Sequence, residues 1–197
     1  MKKTMARNRI AMIAIAVVMN SVVSVTAQVD ISSLAGRQLY NLKKCGDCHN
    51  PGAKEFTAIK AVPDSAKLAA HVETLKLENV LRKDTTPRKQ KKTFGEEILA
   101  MAAYLKNRAK ADAAPANFVT AGFVMTRSAC RNCHVINGAG NDNAPKLAGI
   151  GAKHDKKWLV DHFINPQAFV KDSIMPSFKD LPKEELEAMA DYLLTLK

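Results

Sequence analysis

The chain has 197 residues, 30 of them lysine or arginine against 19 aspartate or glutamate, for a formal net charge of +11. That balance suits docking to an acidic surface through long-range attraction. No paired carboxylates, serine–histidine set or glycine-rich phosphate loop points to a separate catalytic site, and beyond the leader no apolar run approaches the roughly 20 residues that a membrane-spanning helix needs.

The chain opens with Lys2 and Lys3, then Arg7 and Arg9, followed by the apolar run Ile10 to Val18 and by small and polar residues ending Val25-Thr26-Ala27. A charged start, an apolar middle and a small residue at the cut are the marks of a secretory leader. Residues 1–27 are therefore expected to be a signal peptide, leaving a mature chain from Gln28 with a charge of about +7. Asn20, Ser21, Ser24 and Thr26 interrupt the apolar run, which argues against an uncleaved anchor. No stable membrane insertion is expected after cleavage, and nucleic acid is not an expected partner of an exported chain.

Cys45-Gly46-Asp47-Cys48-His49 follows, and Cys130-Arg131-Asn132-Cys133-His134 repeats its pattern. Cys-x-x-Cys-His is what attaching one c-type haem requires: the thiols add across the two porphyrin vinyl groups and the histidine reaches the iron. All four cysteines are used in these two motifs. One zinc tetrahedron would want its two Cys-x-x-Cys pairs about 15–20 residues apart, whereas these lie about eighty apart. A disulfide framework, conceivable in an exported chain, leaves both histidines unexplained. Two covalent haems are expected, through Cys45, Cys48, Cys130 and Cys133, with His49 and His134 on the irons. Such attachment resembles bacterial chemistry done outside the cytoplasmic membrane, which implies the periplasm of a Gram-negative bacterium.

Between the motifs, Asp64 to Leu75 has a helical pattern carrying His71, and Arg88, Lys89, Lys91 and Lys92 form the densest basic run, read as a solvated loop or a docking patch. Thr93 with Glu96 has capping-box spacing, and Ile98, Met101, Ala102 and Leu105 lie on one face of the helix that follows. Ala109 to Asn117, with small residues, a proline and no apolar period, reads as a linker. In the second half Pro182 suits a first helical position, and Leu186, Met189, Ala190, Leu193 and Leu194 form a matching apolar face. Gly36 and Gly122 precede the two motifs, and Tyr104 and Tyr192 share a place in the final helices. No strand-like alternation stands out. The fold class is all-α: two tandem helical domains, residues 28–108 and 118–197 with a linker at 109–117, each wrapped around a haem that supplies core a domain of ~80 residues would otherwise lack.

The second half resembles a class I cytochrome c along its length, through Cys130 to His134, Gly140, Ala144-Pro145-Lys146-Leu147-Ala148-Gly149, Trp158-Leu159, Asn165-Pro166-Gln167, Ile174-Met175-Pro176 and the last helix with Tyr192. The resemblance implies that Pro145 presents its carbonyl to the proximal histidine and that Met175 binds the iron. Ligand chemistry points the same way for Met175. A thioether is a soft ligand that favours Fe(II) and raises the potential, and a methionine beside proline in a loop can be aimed. Met101 and Met189 instead suit core filling.

The first half departs from that pattern. Thr86-Pro87 stands where Met175-Pro176 would align, and Ala53 to Ile59 replaces the stretch around Pro145. This leaves the first haem with His71, with a lysine among 89, 91 and 92, or with no protein ligand opposite His49. Imidazole binds iron without the deprotonation that an amine requires.

The expected function is that of a periplasmic dihaem cytochrome c carrying electrons between redox proteins, a high-potential haem held by His134 and Met175 being paired with one of different potential. The alternative is a haem enzyme, peroxidase-like or acting on inorganic sulfur or nitrogen compounds, with the first haem as its active site, or a subunit of a larger respiratory complex. Dihaem peroxidases are much longer, thiosulfate-oxidising dihaem cytochromes often use a cysteine ligand that this chain cannot spare, and a bis-histidine dihaem carrier conflicts with Met175.

Overall fold

A computed structural model describes residues 29–53, 58–59 and 61–197. The leader and most of the Ala53 to Ile59 stretch lie outside the described residues. Among those described, the chain is helical, and its one β feature is an isolated bridge between Ile136 and Ala139.

Helix α1 (Ile31–Leu42) is capped by Asp30, whose carboxylate accepts from the Ser32 amide at 2.8 Å. The one-turn α2 (Gly46–His49) carries the first motif. Helix α3 (Ser65–Thr74) starts at Asp64, which accepts from the Lys67 amide. Helix α4 (Pro87–Lys106) is the longest. The sequence places its start near Thr93; the structure starts it at the cap Thr86, with Pro87 in the first turn. A threonine cap followed by a proline whose φ is preset for helix is a sufficient start. Thr93 is instead 1 % exposed inside the helix, bonded to Asp84 and Arg82. The basic run Arg88 to Lys92 therefore forms exposed helical turns rather than a loop.

Helix α5 (Arg108–Asp112) occupies part of the segment read as a linker. Ala111 and Ala114 are buried there, and Arg37 of α1 donates to both of their carbonyls, at 3.0 and 2.9 Å. Small side chains without an apolar period can still pack closely, which the periodicity argument does not see. Helix α6 (Ala116–Arg127) leads into a 3-10 turn at Cys130–Asn132 with the second motif. Then come α7 (Ile150–Lys153), α8 (Lys156–Ile164, capped by Asp155), a 3-10 turn at Pro166–Ala168 and α9 (Lys183–Leu193).

The helices pack in the order α4, α1, α6, α9, α8, with α3 against α4. Two glycines set the close crossings. A Cβ on Gly36 would lie 2.0 Å from the Ala100 carbonyl oxygen of α4, and one on Gly122 would lie 2.4 Å from the Leu34 Cβ of α1. The two matched glycines thus do different work: Gly36 seats α1 within the first half, and Gly122 seats the second half on α1. One buried cluster runs through both halves, from Val29, Ile31 and Leu34 to Tyr192 and Leu193, while Leu39, Leu68, Val72, Leu81 and Ile98 form a smaller one in the first half. Tyr104 and Tyr192 are both buried. The Tyr104 hydroxyl donates to Asp112 at 2.8 Å, whereas that of Tyr192 reaches the Val29 carbonyl at 2.7 Å.

Candidate haem sites

Both Cys-x-x-Cys-His segments fold as the same tight turn. Each follows a residue with left-handed φ, Lys44 at 56° and Ala129 at 56°. In each, the histidine amide donates to the first cysteine's carbonyl at 3.0 Å and the second cysteine's amide to the same oxygen at 3.3 Å. Such a turn brings positions i, i+3 and i+4 to one side, as two thioether bonds and an axial ligand from one short segment require. In both turns the first cysteine is half-buried and the second exposed, and all four thiols are free. Burial pushes the Cys130 thiol up to about 11 and also raises Cys45. These sulfurs stay uncharged at neutral pH, as a buried thioether would.

Each turn is held from outside its own segment. Lys43, two residues before Cys45, is buried with its Nζ 2.8 Å from Glu97 Oε2 of α4 and 2.6 Å from the Glu78 carbonyl. Glu97 Oε1 accepts from the amides of Val80 and Leu81 at 2.6 and 2.7 Å. Arg131, inside the second motif, pairs with Asp30, the cap of α1, and donates to Ser32 Oγ at 2.6 Å and the Ile136 carbonyl at 2.7 Å. Neither pair is visible in the sequence, since the partners are distant in the chain and meet only in the fold.

The histidines differ in setting. His134 Nδ1 lies 2.7 Å from the Pro145 carbonyl. A carbonyl only accepts, so Nδ1 carries the proton and Nε2 keeps its lone pair, the arrangement of metal-ligating histidines. Gly140 lets the intervening loop pass close to the motif backbone: at φ 120°, a Cβ there would stand 2.2 Å from the His134 carbonyl oxygen. In the first half His71, exposed on α3, brings its ring centroid 5.8 Å from that of His49, with the rings at 65°. The structure thus brings the two imidazoles of the first half side by side. Lys89, Lys91 and Lys92 are exposed in the first turns of α4.

Met175 is half-buried and packs against the main core, between Ile174, which is 88 % exposed, and Pro176. Its loop is pinned to the end of α8 by Ser177 Oγ donating to the Ile164 carbonyl at 2.6 Å and by the Phe178 amide donating to the Phe163 carbonyl at 2.9 Å. Trp158 and His162 of α8 stack in series with His154, which lies just before the helix, with centroids 3.4 Å (His154–Trp158) and 4.7 Å (Trp158–His162) apart, and Phe169 closes against His162 at 5.5 Å. The sequence alone does not reveal this stack, although the spacing of four between Trp158 and His162 marks one helix face. Burial foremost, then the charges of His154 and His134, lowers the pKa of His162.

The cytochrome c family model matches residues 119–197. Among curated proteins the chain is similar to cytochrome c oxidase subunit 2 of Alkalihalophilus pseudofirmus, 27 % identical over 86 residues, which are 38 % of this chain and 24 % of that protein. The chain thus spans about a quarter of that relative's length. No solved structure matches it. The second half is cytochrome c-like, and a cytochrome c domain implies covalently bound haem c and a haem-based role in electron transfer.

Proposed function

We propose that the protein is a dihaem c-type cytochrome of the periplasm, passing electrons from one redox protein to another. The observation that carries this reading is the matching backbone hydrogen bonds of the two motif turns, with one motif histidine held at Nδ1 by the Pro145 carbonyl. Haem iron supplies the one-electron change between Fe(II) and Fe(III), at a potential tuned by its axial ligands and by burial. On this reading Cys45 and Cys48 hold the first haem, with His49 and His71 as axial ligands, and Cys130 and Cys133 hold the second, with His134 and Met175. The Pro145 carbonyl orients His134 and raises its basicity. Two imidazoles on one side and an imidazole with a thioether on the other set the two potentials apart.

The basic turns of α4 suit an acidic partner. Arg88, Lys89, Lys91 and Lys92 stand at the positive end of the helix dipole, where cations are disfavoured. One ion pair offsets them, Lys92 with Glu96 at 3.9 Å. Cations placed against the dipole fit a surface kept for docking. Similarity to an oxidase subunit favours a second reading, in which the protein works inside a respiratory complex; co-purification of oxidase subunits from solubilised membranes would support it.

Intact-mass measurement of the exported protein tests the central claim. The expected mass is that of the chain from Gln28 plus two haems. A single haem would remove the first site, and a retained N-terminus would replace the soluble carrier by a tethered one.

A further inference from the structure

We propose that His162 is a reserve axial ligand of the second haem, positioned to take the iron when Met175 leaves it. The inference rests on the reading of Met175 as the resting ligand and adds a second occupant for the same coordination position.

The first observation is a repeat that the structure brings into register. Helices α3 and α8 both begin at an aspartate cap, Asp64 and Asp155, each accepting from the amide three residues on. Four residues after the cap each buries a leucine, Leu68 or Leu159, and eight residues after it an apolar side chain, Val72 or Phe163. The seventh position is His71 in one helix and His162 in the other. In the first half that position puts an imidazole 5.8 Å from the motif histidine. The same helix, cap and buried pair carry His162 at the matching position of α8 in the second half, where its ring stacks on Trp158 at 4.7 Å.

The second observation is the state of the His162 ring. It is stacked on Trp158 and flanked by Phe169, and its Nδ1 is buried with no hydrogen-bond partner among the described residues. A packed histidine with only a structural role would be expected to satisfy a buried ring nitrogen; this one lies among the aromatic rings of Trp158 and Phe169. Asp161, its chain neighbour, is engaged by Lys157 at 2.5 Å. The Met175 loop is tied to the end of the helix that carries His162, so the two ligands share one scaffold.

The exchange balances simply. The dative bond from the Met175 sulfur to iron breaks, and one from a His162 ring nitrogen forms. No electron changes hands, and neutral imidazole loses no proton. Thioether favours Fe(II), so oxidation of the iron or strain on the exposed loop tips the balance towards imidazole.

The test uses the intact holoprotein, with the first haem as internal reference. Wild type should show the weak far-red sulfur-to-iron band; without it the Met175 reading fails, and the reserve role with it. In Met175→Ala that band should vanish while the second haem stays low-spin, with the electron paramagnetic resonance of a two-imidazole centre and slow carbon monoxide uptake when reduced. Adding His162→Leu should turn that haem high-spin and open it to carbon monoxide, with haem content and helical circular dichroism unchanged. A second haem already high-spin in Met175→Ala, or still low-spin in the double variant, overturns the proposal.

Discussion

At the scale of the residue, the chemistry rests on a few side chains whose partners fix their roles. Met175→Ala is expected to lower the potential of one haem and abolish the sulfur-to-iron band, because the preference of thioether for Fe(II) is lost; redox titration with both bands followed checks this. His71→Ala should turn the first haem high-spin and let it bind carbon monoxide when reduced, leaving the second unchanged. A wild-type first haem that already binds the gas readily would instead point to substrate binding opposite His49. The two motifs were legible in the sequence because covalent attachment demands fixed residue types at fixed spacing. Pro145 and Met175 were legible through resemblance, and the structure supplies the 2.7 Å contact between Pro145 and His134. Arg131 was not. Inside the motif it could be any residue, and its tie to Asp30 exists only once α1 is folded against the second half.

At the scale of the element, caps and buried pairs decide where helices begin and what they hold. The start of α4 was misplaced because its first turns carry cations on exposed faces, which hides the amphipathic pattern used to find helices. Thr86 and Pro87, adjacent in the sequence, carried the information. The ion pair of Lys43 and Glu97 is fully buried, with both side chains at most 1 % exposed. Glu97→Ala would leave the ammonium uncompensated and two amides unbonded. Breaking one side of such a pair costs about 3–5 kcal/mol, so denaturant unfolding should show a loss of that order and haem attachment at Cys45 should fall. Replacing Lys43 and Glu97 together by apolar residues of similar volume should cost much less, since no lone charge remains.

At the scale of the molecule, the sequence suggested two units joined by a spacer, and the structure gives them a common wall. Helix α1 presents Gly36 to α4, while its Ile31 and Leu34 meet Gly122 of α6. Gly122→Val would put side-chain atoms where Leu34 already lies, and overpacking of this kind costs about 1–3 kcal/mol. Both haem environments should then melt together at a lower temperature; independent melting would show that the halves do not cooperate. This shared wall also bears on how the chain is made. Helix α1 is made well before the second half, and the Val29 carbonyl just ahead of it meets the Tyr192 hydroxyl only when that residue arrives, 163 residues later. Until α6 and then α9 are made, the nascent protein carries an incompletely covered apolar ridge at Ile31 and Leu34, so its maturation is a race between completing synthesis and being captured by chaperones, proteases or a second nascent chain. A gene encoding the first half alone would leave that ridge permanently bare, so the two parts are expected to be inherited together.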